Sequence, residues 1–236
     1  MDCRRNPEFH FIASFLNDKN TISGLNVLNS INNKYSYSML GTRTDIEILI
    51  LAAGSSSRLG QPKQLLKFQG TTLIRRIVQE ALKSGVGKVT VVTGHQHDEI
   101  SAEISDMDIS QYYNMDWKEG LGASIRNSLT YLLAINPHLN AVIITVVDQP
   151  FVDAAHLKKL ADTYDPSRPM IVASAYSGTF GVPVLVDSFY FDKLKALKGD
   201  EGGKKVFAAH LDNIVEIPFS DGAIDIDEEK DLRSLL

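Results

Sequence analysis

The chain has 236 residues, enough for one domain or a small two-lobed one, and a chain of this size buries roughly 70% of its unfolded surface. A net charge of −5 gives no sign of the basic face that nucleic-acid binding needs. The single cysteine, Cys3, excludes an intramolecular disulfide and a Cys-based metal cluster, and every apolar run falls far short of the ~20 residues that span a bilayer. Neither nucleic acid nor a membrane is expected as a partner, and a cytoplasmic location is expected.

Residues 1–44 stand apart. They carry Asn6, Asn17, Asn20, Asn26, Asn29, Asn32 and Asn33 among scattered Ser and Lys. They read as an extension of unknown role ahead of one domain over 45–236. Asp2 and Glu8, with no continuous apolar segment, do not read as a secretory signal. Met39, just before the first strong strand, reads as a candidate for the native start.

From Ile46 on, strand and helix patterns alternate. Ile46–Leu51 is an apolar run of strand length, followed by small residues. Helical spacing covers Thr71–Lys83, and the β-branched run Lys88–Thr93 reads as a strand. A helix over Gln96–Ile104, a short strand over Gln111–Tyr113 and a helix over Leu121–Ile135 follow. Ala141–Val147 reads as a buried strand, Asp153–Tyr164 as a helix and Met170–Ala175 as a strand. Gly181–Val186 is short and extended. Val186–Leu197 and Gly202–Ala209 read as helices, Ile214–Ile217 as a strand, and Glu228–Leu235 as a closing helix. This alternation predicts an α/β fold: three Rossmann-like layers around a mostly parallel central sheet.

Residues Leu51 to Lys63 read Leu-Ala-Ala-Gly-Ser-Ser-Ser-Arg-Leu-Gly-Gln-Pro-Lys. A strand followed by small residues lets backbone N–H groups approach a phosphate, while Arg58 and Lys63 supply positive charge. The expected ligand is a nucleoside triphosphate. A Walker loop does not fit, because Gly54 and Gly60 are six positions apart and Gln61 follows. The dinucleotide fingerprint does not fit either, because no Gly-x-Gly is present in the loop.

Ligands of such sheets sit beyond the C-terminal strand ends, and the loop at Ala52, the Thr93-Gly94 turn and Asp148 all fall there. Asp148 is placed to hold Mg²⁺, which favours one or two carboxylates shared with substrate phosphates. The second carboxylate comes from Asp225-Ile226-Asp227. Alternation puts Asp225 and Asp227 on one side of an extended segment, with Asp227 the first choice and Asp225 the reserve. Gly120 and Gly122 open the helix after Trp117, with Ser124 in its first turn, where a base or ribose could rest; Trp117 reads as a packing residue. His95 and His97 read as part of a solvated loop, and no Ser-His-Asp or Cys-His arrangement is apparent around His156.

The Leu51–Lys63 loop with Gln64-Leu65-Leu66, the segment Trp117–Ile125, Asp148-Gln149-Pro150-Phe151, Gly178–Pro183, Gly199–Gly202 and Asp225–Asp227 together resemble the molybdenum cofactor nucleotidyltransferases. The Ala52-Ala53-Gly54 version of the loop is most similar to the cytidylyltransferase branch. The resemblance covers about residues 46–235. It implies Mg²⁺-dependent transfer of a cytidylyl group from CTP to the phosphate of molybdopterin, and an association with a molybdenum hydroxylase or its maturation factor. The loop and the acidic strand end are shared with sugar-phosphate and polyol-phosphate nucleotidyltransferases, and a nucleotide-binding accessory protein without turnover is the more distant alternative.

Residue by residue, the resemblance places Leu51, Ala52, Ala53, Gly54 and Ser55 around the triphosphate. Arg58 and Lys63 hold its phosphates, with Gly94, Gly122 and Ser124 near the nucleoside. Asp148 and Asp227 bind Mg²⁺. Gly178, Gly181, Pro183, Asp200 and Lys204 face the acceptor. The chain departs from the pattern at Val182, where His is frequent, at Lys204, where Arg is frequent, and at Ser128, where Gly is common.

Overall fold

The computed structural model describes residues 45–55, 62–226 and Asp231. The N-terminal extension, Met39, Arg58, Asp227 and the closing helix expected over 228–235 lie outside the described residues.

Nine strands and six α-helices are present among the described residues. The strands are β1 (Ile46–Leu51), β2 (Lys67–Phe68), β3 (Thr71–Thr72), β4 (Val89–Thr93), β5 (Ser110–Tyr113), β6 (Ala141–Val146), β7 (Ile171–Tyr176), β8 (Thr179–Asp187) and β9 (Ile214–Pro218). The helices are α1 (Leu73–Ser84), α2 (His97–Glu103), α3 (Leu121–Ile135), α4 (Ala154–Thr163), α5 (Phe191–Lys195) and α6 (Lys204–Phe207). Seven strands form one sheet in the order β5-β4-β1-β6-β8-β7-β9, and β2 and β3 form a separate hairpin. Strand β8 alone runs antiparallel to both of its neighbours, so the main sheet is mostly parallel.

The sheet is covered on both faces, and strand alternation sorts its side chains. Ile46, Ile48 and Ile50 of β1 join the core under α1, α2 and α4, while Leu49 and Leu51 join the core under α3, α5 and α6. Every residue of β1 is buried, as a central strand of a doubly covered sheet requires.

Three expected boundaries change. Thr71 and Thr72 do not start a helix: they pair antiparallel with Lys67 and Phe68 across a tight turn at Gln69-Gly70. The helix starts at Leu73, and the Thr72 hydroxyl caps it by accepting from the Arg75 N–H at 3.3 Å. The short extended stretch at 181–186 is the middle of the nine-residue strand β8. It follows β7 through Ser177-Gly178, whose φ values of 51° and 72° suit a two-residue hairpin turn of the twist strands favour. Helical structure therefore begins at Ser188 and not at Val186, and Asp187 accepts from the Phe189 N–H at 2.8 Å where the chain leaves the strand.

No helix among the described residues is long and apolar enough to cross a membrane.

Candidate active site

Strands β1, β4, β5, β6, β7 and β9 end at one edge of the sheet, and β8 starts there. The ends of β1, β4 and β6 place Ala52, Gly94 and Asp148 side by side. The Ala52 N–H donates to Val92 O at 2.8 Å, and the His95 N–H donates to Ala53 O at 3.2 Å, so the first turn after β1 is bound to the end of β4. Gly94 permits this closeness. A Cβ there would lie 2.6 Å from Trp117 Cβ and 2.8 Å from Ala53 O. Trp117 packs partly buried against the core, with the His95 ring edge-on to it at 5.1 Å.

Gln64 fixes the near side of the loop. Its side chain is buried, and Nε2 donates to Ala52 O and to Gly54 O, each at 2.9 Å. One amide therefore holds the carbonyls of the turn inward. Among the described residues nothing lies within 4 Å of where a Gly54 Cβ would stand, and Ser55 is exposed. Lys63, in the short helical turn Lys63–Leu65, donates its Nζ to Asp148 Oδ2. Both side chains are about one-fifth exposed, at 20% and 22%, so the pair is reachable from solvent yet weakly screened.

Asp148 sits on a braced segment. The Pro150 carbonyl accepts from Arg76 Nε at 2.6 Å, and Phe151 meets Phe68 edge-on at 5.6 Å. Gln149 is buried and donates Nε2 to Gly222 O at 2.8 Å. The Ile226 N–H donates to Asp148 O at 2.9 Å. That bond brings Asp225, the reserve metal candidate, beside Asp148, while Asp227 lies outside the described residues. No group of three or more His, Cys, Asp or Glu that could hold a metal exists among the described residues. Mg²⁺ needs fewer, since it keeps waters and substrate phosphate oxygens in its shell, and Asp148 with Asp225 offers the hard oxygens it favours. The charges of both carboxylates reach the Tyr176 phenol. Burial raises the phenol above the ordinary tyrosine range; hydrogen bonding with Gln149 opposes this, and the charges of Asp225 and Asp148 add to it.

On the opposite flank, Gly120 and Gly122 open α3 against the loop at 198–200. Gly120 has φ +107°, and a Cβ there would stand 2.3 Å from Asp200 Oδ1. The Gly122 N–H donates to Gly199 O at 2.8 Å. Gly122 and Asp200, expected on the nucleoside and acceptor sides, are thus neighbours, and the bareness of both glycines serves that contact. Ser124 is buried, and its Oγ accepts from Asn114 Nδ2 at 3.2 Å. Asn114, at the end of β5, also accepts on Oδ1 from Asn127 Nδ2 at 3.0 Å and from the Asp116 N–H at 3.2 Å.

Gly178 lies in the β7–β8 turn, and Gly181 and Pro183 lie in β8 on the far side of Asp148. Pro183 follows a cis peptide bond, and its carbonyl accepts from Ser174 Oγ at 2.6 Å. Lys204 is exposed at the start of α6, with its Cε 3.7 Å from where a Gly181 Cβ would be. The histidines differ from the expected solvated loop. His95 is half-buried against Trp117. His97 begins α2, with Nδ1 2.7 Å from Thr93 Oγ1 and its ring stacked on Tyr113 at 4.5 Å.

Tyr176 and Asn114 carry much of this geometry without standing out in the sequence as functional. Gln64 belongs to the run after the phosphate-loop lysine that carries the resemblance, but its role of holding the turn is not written in the sequence.

Residues 48–214, more than half of the chain, match the MobA-like NTP transferase domain. The chain is 27% identical over 179 residues to nicotine blue oxidoreductase of Paenarthrobacter nicotinovorans, covering 72% of this chain and 84% of that protein. It is 27% identical over 165 residues to the purine catabolism protein PucB of Bacillus subtilis, covering 67% and 78%. The crystal structure of Rv0371c from Mycobacterium tuberculosis superposes with a TM-score of 0.70 at 27% identity, over 83% of this chain and 99% of that one; the same protein has been solved in complex with manganese, with a TM-score of 0.68. A carboxylate and a lysine at the sheet edge, facing a small-residue turn after a central strand, agree with that match: the chain is a nucleotidyltransferase and belongs to the MobA-like NTP transferase domain family.

Proposed function

We propose that this nucleotidyltransferase moves a cytidylyl group from CTP to the terminal phosphate of molybdopterin, with Mg²⁺, and releases pyrophosphate. The observation that carries the reading is the Lys63–Asp148 pair at the end of β6, next to the Ala52–Gly54 turn and joined to Asp225 through the Ile226–Asp148 hydrogen bond. The Ala52-Ala53-Gly54 loop favours the cytidylyl branch, and Asp148-Gln149-Pro150 with Gly178–Pro183 favours a molybdopterin acceptor.

In the proposed reaction an oxygen of the acceptor phosphate bonds to the α-phosphorus of CTP, and the bond from that phosphorus to the pyrophosphate oxygen breaks. The acceptor oxygen is already anionic, so no side chain has to take a proton. Catalysis is positioning and charge stabilisation. The backbone after β1, held by Gln64, presents the triphosphate. Lys63 offsets its charge, with Arg58 assigned beside it by its place in the loop. Asp148 would hold Mg²⁺ with Asp225 or Asp227, and the ion would supply Lewis-acid neutralisation of phosphate charge. The manganese complex of the Rv0371c protein supports a divalent cation in this role. Lys204, Gly181 and Pro183 would form the acceptor side, and delivery to a molybdenum hydroxylase or its maturation factor would follow.

The test is pyrophosphate release from CTP and from GTP, with Mg²⁺ and molybdenum-loaded molybdopterin. Release with CTP and not GTP is expected. Release only with a sugar or polyol phosphate as acceptor replaces the substrate, and nucleotide binding without release under any of these conditions replaces turnover with an accessory role.

A further inference from the structure

Tyr176 closes β7 and is half-buried at the sheet edge that holds Asp148. Its ring is seated between two glycines from distant parts of the chain. A Cβ on Gly181 would stand 2.2 Å from the Tyr176 hydroxyl oxygen, and a Cβ on Gly222 would stand 2.6 Å from its Cδ1. The slot exists only because both positions lack a side chain. Gln149 holds one wall of it by donating to Gly222 O at 2.8 Å and also hydrogen-bonds the phenol, while its Oε1 is buried with no partner among the described residues. The phenol feels the charges of Asp148 and Asp225, and Lys204 Cε lies 3.7 Å from where a Gly181 Cβ would stand.

The hydroxyl oxygen sits against Gly181, which Lys204 also approaches on the expected acceptor side, and the phenol is near enough to Asp148 and Asp225 to feel their charge. A phosphate monoester bridging those two regions would present oxygens to a neutral O–H donor at that point. Such a donor suits a phosphate carrying its full charge, because hydrogen bonds to an anion are the stronger kind and add no competing cation.

We propose that Tyr176 contacts the substrate, donating its hydroxyl hydrogen bond to the phosphate of the acceptor and so fixing which oxygen faces the α-phosphorus, with Gly181, Gly222 and Gln149 as the residues that position it. This assignment rests on the nucleotidyl-transfer reading above and adds to it the residue that recognises the acceptor phosphate.

The test compares wild-type protein with Tyr176→Phe, which keeps the ring in its slot and removes only the oxygen. Three quantities are measured: pyrophosphate release against molybdopterin concentration, Kd for Mn²⁺, and Kd for CTP. The expected result is a loss of roughly tenfold to a hundredfold in kcat/KM for molybdopterin, with both Kd values unchanged within twofold. A second variant, Gly181→Ala, displaces the phenol without removing it and is expected to give the same acceptor defect. It loses most of its effect in the Tyr176→Phe background, because both changes act through one hydroxyl. Tyr176→Phe turnover within twofold of an active wild type overturns the assignment while leaving nucleotidyl transfer standing. An equal loss in CTP or Mn²⁺ affinity also overturns it, because the hydroxyl would then serve the nucleotide or the metal. A wild type that releases no pyrophosphate with any phosphate acceptor overturns the functional reading, and this assignment with it.

Discussion

Lys63 donates its ammonium directly to the Asp148 carboxylate, so the cation from the phosphate loop and the acid from the end of β6 neutralise each other across the site. The same carboxylate oxygen cannot serve a metal fully while it is held by Lys63. Lys63→Ala is therefore expected to bind Mn²⁺ as tightly as wild type or more tightly without nucleotide, yet to lose on the order of 10²–10³ in kcat, as preorganised electrostatic sites do. Asp148→Ala is expected to lose both metal binding and turnover. Because the pair is partly exposed, either variant should remain folded, at a cost of about 1–2 kcal/mol. Mn²⁺ titration beside pyrophosphate release checks both signs; a Lys63→Ala protein with wild-type turnover removes the lysine from the mechanism.

Gln64 reaches two carbonyls with one amide, Ala52 O and Gly54 O, from a buried position. Gln64→Leu keeps the volume and leaves both carbonyls without that donor. A stability loss of about 1–3 kcal/mol is expected from the unpaired groups. A rise in KM for CTP larger than any change in kcat should accompany it, because the turn would no longer be held for the triphosphate. Urea denaturation and steady-state kinetics on the same preparation separate the two effects.

The parts of the site legible in the sequence are those written locally. The run Ile46–Leu51 followed by Ala52-Ala53-Gly54 declares a central strand and its turn, and Asp148 follows an apolar run of the same kind. What the sequence hid depends on residues far apart in the chain. Tyr176 has meaning only with Gly181 and Gly222 beneath it, and Asn114 only with Ser124 and Asn127 beside it. Strand β8 was harder still. The sequence shows only a short extended stretch over Gly181–Val186, and the strand's antiparallel direction follows from the Ser177-Gly178 turn, a dipeptide that does mark a tight hairpin when weighed. The helix start at Leu73 was obscured because Thr71 and Thr72 fit helical spacing as well as they fit a two-residue strand.

The glycines at the nucleoside flank should be intolerant for two different reasons. Gly120→Ala meets both a φ of +107° and Asp200 Oδ1 at 2.3 Å, and Gly94→Ala meets Trp117 Cβ and the Ala53 backbone. Each is expected to cost about 1–3 kcal/mol. Shortening the side chain beside Gly120, with Asp200→Gly, should recover only a small part of the Gly120→Ala loss, because the Gly199 carbonyl carbon and oxygen, each 2.7 Å from that Cβ, and the backbone strain both remain. No neighbouring truncation of that kind should rescue Gly94→Ala, whose contacts include main-chain atoms. Melting temperatures of the single and double variants check this.

His156 supplies the pH dependence. It is buried on α4, its ring stacked on Phe219 at 4.1 Å, and its Nε2 lies 2.7 Å from Ser174 Oγ. Because that hydroxyl donates to Pro183 O at 2.6 Å, Nε2 carries the proton that the hydroxyl accepts, and the neutral ring completes the chain. Burial lowers its pKa to about 4, with the Asp153 charge opposing and Lys159 assisting. The unfolded chain binds this proton near pH 6.5 and the folded protein only near 4, so between those values the unfolded state holds more protons and stability rises with pH. Acidification from pH 6.5 to 4 should thus remove about 3 kcal/mol through this one residue, with no further loss from it below that range. His156→Gln, which can still donate to Ser174, should flatten that stretch of the wild-type curve. Urea denaturation at half-unit steps from pH 7 to 4 measures the difference, and parallel curves for the two proteins would remove His156 as its source.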